Sequence, residues 1–345
     1  MEDIVNSRAR ARLSQGWKTG QLLRIGDPFH SREEAMSPWT AEGTDAGLLL
    51  EYIANYNEKY PTPKEIQTED FNDVLKFSEE VIADAWKLCG PFLDKKKWEE
   101  ETSGQALMRT QDYAFIKTFA KNLKKNCNHV DIGPGLGSHA LYSLKAFEAN
   151  YVGIETQPHM FKIQRIFQRL LSAKCQITHG NNFNFFDAVE AETFGLTWDE
   201  ISKYLKKIQN KPGISIVPSW MFKNVPTNSV DLITATFMLN EIPVSAILWL
   251  FSNLTRVMKK GSYFYINDNA KQKDEVKLKP ERANAMDYDS FLKKIGFVEV
   301  KRMNMENRVN YRGSPRIYQK DFDKAFSYQD LADMQVGKFA VSKYY

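Results

Sequence analysis

The chain has 345 residues with 47 basic against 43 acidic side chains, so it is long enough for a large elaborated domain or for two, and a net charge of +4 is too small to announce a nucleic-acid partner. No apolar run approaches the roughly 20 residues of a membrane span; the richest, Ala246-Ile247-Leu248-Trp249-Leu250-Phe251, is far too short. Cys89, Cys127 and Cys175 have no paired or metal-type spacing and Glu2 and Asp3 precede any apolar stretch, which argues against a disulfide frame and a signal peptide and sets the expectation of a cytoplasmic protein.

Residues 1 to about 110 lack strand alternation and read as helices broken by loops such as Gly26-Asp27-Pro28 and Tyr60-Pro61-Thr62-Pro63. Leu48, Leu49, Tyr52, Ile53 and Tyr56 recur at helical spacing, as do Val74, Leu75, Phe77, Val81, Ile82 and Ala85. The expectation is a mostly helical N-terminal cap and substrate region at 1–110, in front of a second unit at 111–345. Basic residues gather at Arg8, Arg10, Arg12, Lys18 and Arg24 and again at Lys301, Arg302, Arg308, Arg312 and Arg316. Solvated faces account for both groups, and an anionic substrate is the sharper alternative.

From about 111 the pattern changes to strand, helix, strand, the signature of βαβ units and a parallel α/β sheet. Strands are expected near 128–132, 151–155, 214–218, 230–237, 262–267, 297–303 and 336–343, with helices after Ser138 and at about 158–173, 244–258 and 287–295. Two stretches, about 176–212 and 304–335, exceed an ordinary structureless loop and are expected to form rim insertions that shape a substrate cleft.

The most informative run is His129-Val130-Asp131-Ile132-Gly133-Pro134-Gly135-Leu136-Gly137-Ser138, an apolar strand ending in an acid and followed by alternating glycines and a helix. Glycine serves where backbone turns with positive φ or approaches a ligand closely, and a helix start offers free N–H groups. A dinucleotide fingerprint wants G-x-G-x-x-G, whereas here Gly133 and Gly135 are followed by Gly137. A second short apolar strand, Tyr151-Val152-Gly153-Ile154-Glu155, ends in an acid twenty-four residues after Asp131. A carboxylate at that strand tip suits a ribose diol; a surface acid or a cap before Pro158 is the bland reading.

The series Asp131, Gly133, Gly135, Gly137 resembles the first motif of class I S-adenosylmethionine (SAM) methyltransferases, and Ser229-Val230-Asp231-Leu232 through Phe237, Glu241 and Ile242 resembles a stretch of bacterial proteins assigned as sugar O-methyltransferases. The likeness covers roughly the catalytic half and departs at Leu239-Asn240. It implies a Rossmann-like seven-stranded sheet whose last strand inserts antiparallel, and a SAM site formed by Asp131, Gly133, Pro134, Gly135, Gly137 and Glu155. Ser219 or Trp220 would meet adenine, and Phe237 would stand at the methionine half. Trp220 as a buried core residue is an equal alternative.

Candidates for removing the acceptor's proton are His139, His159, Glu241 and Asp268, with His30 a further histidine within reach if the cap folds over. Glu241 also reads as an ordinary helix-start carboxylate, Asp268 as part of the turn Asn267-Asp268-Asn269, and a lone histidine as structural. No clustered ligand motif decides whether a divalent metal takes part. The expected activity is SAM-dependent O-methylation of a sugar of the surface polysaccharide or nucleotide-sugar type. The alternatives are a small-molecule N- or O-methyltransferase with a non-sugar acceptor and a non-catalytic SAM-binding regulatory protein. The expected partner is a small-molecule or glycan substrate, anionic in one reading, with no nucleic acid, no membrane span and the oligomeric state left open.

Overall fold

Strand β1 (Asn128–Ile132) sets the architecture through its alternation. Val130 and Ile132 point into one apolar core, while His129 and Asp131, of opposite parity, lie buried on the other face. The computed structural model describes residues 62–89, 95–134, 139–155, 213–218, 222–223, 225–236, 238–239, 244–268, 287–303 and 314–336. The expected helix at 158–173 and the expected rim insertion at 176–212 lie outside these, as does most of the N-terminal cap.

The other strands are β2 (Asn150–Glu155), β3 (Gly213–Pro218), β4 (Val230–Thr236), β5 (Met258–Asp268), β6 (Phe297–Arg302) and β7 (Ser314–Lys320), in the order β3-β2-β1-β4-β5-β7-β6. The first five are parallel neighbours, and β7 inserts antiparallel between β5 and β6. The chain runs outward from β1 in both directions, so the sheet reverses between β1 and β4 and opens a crevice beyond their carboxyl ends.

Helices cover both faces. On one, α4 (Val244–Val257), α5 (Tyr288–Lys294) and α6 (Tyr328–Val336) contribute Leu250, Phe251, Phe291 and Leu331 to the core beneath Val130 and Ile233. On the other, α1 (Phe71–Cys89), α2 (Lys95–Phe119) and α3 (His139–Phe147) cover the second face, with Val74, Phe115 and Tyr142 packed against Leu232 and Tyr265. Each of these apolar side chains stabilises the fold by about 1.5–3 kcal/mol relative to exposure.

Two boundaries differ from the sequence reading. Helix α2 runs unbroken through residue 110, and its Tyr113, Ala114, Phe115 and Ile116 pack in the layer over the sheet, so the helix does not end at the expected boundary. The strand expected at 336–343 lies outside the described residues apart from Val336, which ends α6, and the last described strand is β7 at Ser314–Lys320, within a stretch not expected to hold one. Residues 314–335 are therefore no rim insertion, since they supply an interior strand and a core helix, while 304–313 lie outside the described residues. Polar residues disguise this strand: Arg316, Tyr318 and Lys320 share one face and are all fully buried. Arg316 Nε donates to Asp289 Oδ1 at 2.6 Å, and Lys320 Nζ donates to the carbonyls of Thr255 and Met258 at 2.7 and 2.8 Å, holding the end of α4.

Candidate functional site

The turn after β1 opens with Gly133 at φ +60°, its N–H donating to Ile154 O of β2 at 2.9 Å. An added Cβ would stand 2.8 Å from Met238 Cγ, so conformation and packing both require glycine. Gly153 in turn leaves room for Pro134, whose Cγ would lie 3.2 Å from a Cβ there. Glu155 is the last residue of β2, paired in register with Pro218, and only 3 % exposed. The two strand tips thus place a glycine turn and a buried acid beside the crevice. Of the other expected site residues, Gly135, Gly137, His159, Ser219, Trp220, Phe237 and Glu241 lie outside the described residues, as does His30. Asp268 ends β5, its side chain likewise outside them.

Behind the tips, between the sheet and helices α2 and α3, lies a buried network of charges. His139, the first residue of α3, packs its ring between Asp131 of β1 and Asp112 of α2: Nδ1 lies 3.2 Å from Asp131 Oδ1 and Nε2 3.2 Å from Asp112 Oδ2. Arg109 Nη1 donates to Asp112 Oδ2 and to Thr236 Oγ1, each at 3.0 Å, and comes within 2.9 Å of His139 Nε2. The two hydrogens on Nη1 are taken by Asp112 and Thr236, so the contact with His139 is the approach of two cations to one carboxylate oxygen.

With His139 protonated, Arg109 and His139 balance Asp112 and Asp131, and the buried group is neutral overall. Burial alone would lower the His139 pKa, but the Asp131 charge and the hydrogen bonds to both carboxylates outweigh it and the Arg109 charge, and hold it above the ordinary value. Burial would raise both acids; instead the His139 hydrogen bond and the Arg109 charge hold Asp112 low, and the His139 charge with its hydrogen bond brings Asp131 down to about 2.

Ten residues earlier, His129 follows the opposite rule. Burial pushes its pKa down to about 3, against the pull of Asp131. Thr234 Oγ1 donates its one hydrogen to Asp131 Oδ1 at 2.6 Å, so toward any other partner it can only accept a hydrogen bond. His129 Nε2–H supplies it at 2.8 Å, which leaves Nδ1 to accept from the Ser143 hydroxyl. Tyr151 donates its hydroxyl to Asp131 Oδ2 at 2.8 Å. One relay of donors, Ser143 to His129 to Thr234, converges on Asp131 in company with Tyr151 and His139.

These contacts correct two expectations. His139 is not a base facing the cleft, because both ring nitrogens are engaged inside the protein and the residue is buried. Asp131, 1 % exposed, turns its carboxylate inward to brace β1 against β2, β4 and α3, where direct ligand contact was expected. The reading also missed Arg109, Asp112, Thr234, Thr236, Tyr265 and Asn267. Asp112 is their hub: Oδ1 accepts from Tyr265 at 2.5 Å and from Asn267 Nδ2 at 2.8 Å, while Oδ2 receives Arg109 and His139. All of its roughly four acceptor positions are used, so Asp112 is an anchor and not a base. The available signal was parity: His129 and Asp131, or Tyr265 and Asn267, alternate with apolar residues in strands that ought to be buried on both faces.

Among the described residues no helix is long and apolar enough to cross a membrane, and no group of three or more His, Cys, Asp or Glu has the arrangement of a metal site. Cys127 is buried and free, its thiol pushed up to about 12 by burial.

No protein-family model matches the chain, and no curated protein matches it. Solved structures resemble it at a distance. A protein from Galdieria sulphuraria assigned as a sarcosine dimethylglycine methyltransferase is 13 % identical, with 71 % of this chain and 99 % of that one covered and a TM-score of 0.41. Phosphoethanolamine N-methyltransferase 2 from Haemonchus contortus, in complex with SAM, is 13 % identical over 61 % of this chain and 52 % of that one, with a TM-score of 0.37. A SAM-dependent methyltransferase from Aquifex aeolicus is 17 % identical over 61 % and 89 %, also with a TM-score of 0.37.

Proposed function

We infer that the chain is a SAM-dependent methyltransferase whose acceptor is a hydroxyl of a sugar. The observation that carries the cofactor reading is the pairing of Glu155, buried at the tip of β2, with the positive-φ turn at Gly133 beside it, at the reversal of a parallel sheet. In this reading Glu155 accepts the ribose hydroxyls and the Gly133-Pro134 turn passes close to the ligand, with Gly135 and Gly137 continuing it. Ser219 or Trp220 meets adenine, and Phe237 stands at the methionine half. When bound, SAM supplies a methyl group already activated by its sulfonium.

The chain's own task is then to hold and orient an acceptor and to exclude water. The buried quartet of Arg109, Asp112, Asp131 and His139 fixes the relative positions of β1, β4, β5 and α2 and leaves Glu241, Asp268 and His159 as the groups proposed to take the acceptor's proton. The sugar assignment rests on the likeness of residues 229–242 to bacterial proteins assigned as sugar O-methyltransferases. The test is incubation with methyl-labelled SAM and a panel of nucleotide sugars, oligosaccharides and small amines, with products identified by mass spectrometry. Label on a sugar oxygen supports the reading, and label confined to amines replaces it with N-methylation.

A further inference from the structure

Asn267 stands next to last in β5, in register with Thr236 of β4 and Pro315 of β7, where the parallel strands end. It is 2 % exposed. Its amide orientation is dictated by Asp112: Nδ2 donates to Oδ1 at 2.8 Å, and the flipped amide would set two oxygens against each other. Its own Oδ1 is thereby turned from the carboxylate, and among the described residues this buried atom has no hydrogen-bond partner. Asp112 cannot release the amide, because the same carboxylate oxygen also takes the Tyr265 hydroxyl while its second oxygen holds Arg109 and His139.

A buried carbonyl oxygen without a partner is destabilising, and such orphans are uncommon. The atom lies at the tip of β5, two strands from the Gly133 turn, at the end of the sheet where the ligand crevice opens. Resting on the reading of that crevice as a methyl-transfer site, we propose that Asn267 Oδ1 is an acceptor-selecting contact, which receives a hydrogen bond from an N–H or O–H group of the molecule to be methylated. An amide oxygen cannot pair with a carboxylate, a phosphate oxygen or an ether, so the contact favours a donor-bearing group at that point. Asp112 acts through Asn267 as its positioning residue.

The experiment uses the full chain saturated with S-adenosylhomocysteine, whose own affinity is measured first by calorimetry. Saturation-transfer NMR then compares methyl α-glucopyranoside with its fully O-methylated form, and ethanolamine with N,N-dimethyl-2-methoxyethylamine. The donor-bearing member of one pair is expected to bind at least about tenfold more tightly, as loss of one buried hydrogen bond dictates. The pair that responds tells O–H from N–H recognition. Asn267→Ala is expected to erase the preference while leaving S-adenosylhomocysteine binding within about twofold, because the contacts proposed for the cofactor follow β1 to β4 and none is on β5. If that variant does not fold, Asn267→Ser serves instead, its shorter hydroxyl donating to Asp112 and leaving no acceptor where Oδ1 stood. Equal binding of both members, binding of none by the loaded protein, or a preference that survives in the variant overturns the proposal while leaving the cofactor reading intact. Failure of S-adenosylhomocysteine to bind overturns both.

Discussion

Asp112 of α2 and His139 of α3 meet at 3.2 Å in the interior, joining the helix before the first strand to the helix after the glycine turn. The contact makes the N-terminal helical layer part of the site's scaffold. Charges removed from water at this depth are tolerated only when paired and fully hydrogen-bonded.

Asp112→Ala should therefore destabilise the protein by about 3–5 kcal/mol, because it leaves two buried cations against one acid and frees Tyr265 and Asn267 as well. Asp112→Asn retains an acceptor and should lose less. Urea unfolding of both variants, followed by fluorescence, checks the order.

The two histidines should titrate in opposite senses. His129 has a folded pKa of about 3 against 6.5 in the unfolded chain, so it stays neutral while the unfolded state takes up a proton. Stability is then lost as pH falls through that window, by about 1.4 kcal/mol per pH unit for each such proton. His139 has a raised folded pKa. Its contribution is complete below the unfolded value of 6.5 and is lost as pH rises through the folded value. Nitrogen-detected NMR at about pH 5.5, below the ordinary histidine value, should show His129 as the neutral Nε2–H tautomer and His139 as imidazolium. Replacing His129 by Gln should flatten the acid limb of the stability curve.

Asp131 adds a third, lower window. Its pKa of about 2 against 3.8 unfolded gives stability that is present above 3.8 and lost as pH falls toward 2. Asp131→Asn should abolish this loss below pH 4 and, by removing one of the two acids beside it, lower the His139 pKa in the same NMR titration.

Gly133→Ala combines an unfavourable positive φ with a 2.8 Å contact to Met238 Cγ. A loss of about 1–3 kcal/mol is expected from thermal melting. Pairing it with Met238→Ala removes the 2.8 Å contact and keeps the 3.2 Å one to Cβ, so it should recover most of the steric part and leave the conformational part.

The extent to which the fold was legible follows from what each strand buries. Strands β1 to β4 and β6 lie within a residue or two of their expected limits, because Val130, Ile132, Val152, Ile154 and Ile233 form short apolar runs between turns. The core of β5 is legible through Phe264 and Ile266, but the strand extends back through 259–261, which read as loop, to Met258, which reads as the end of a helix. Strand β7 was missed because its inward face carries Arg316 and Lys320, whose burial depends on Asp289 and on carbonyls of α4 that no local pattern reveals. Arg109 and Asp112 were invisible for the same reason, since charges on a helix read as solvated until the sheet is placed beneath them. The Gly133 turn and Glu155 were legible because their chemistry is local: a residue type that permits a turn, and an acid that ends an apolar strand.

The proposed function stands on SAM being held at the tips of β1 and β2. Calorimetric titration of SAM and S-adenosylhomocysteine into the wild-type chain and into Glu155→Ala, each shown to be folded by circular dichroism, tests it most directly. The expected result is a Kd on the order of micromolar for the wild type and a weakening of at least about tenfold, or 1.4 kcal/mol, in the variant. Absence of binding to the folded wild type, or equal affinity in the two proteins, would contradict it.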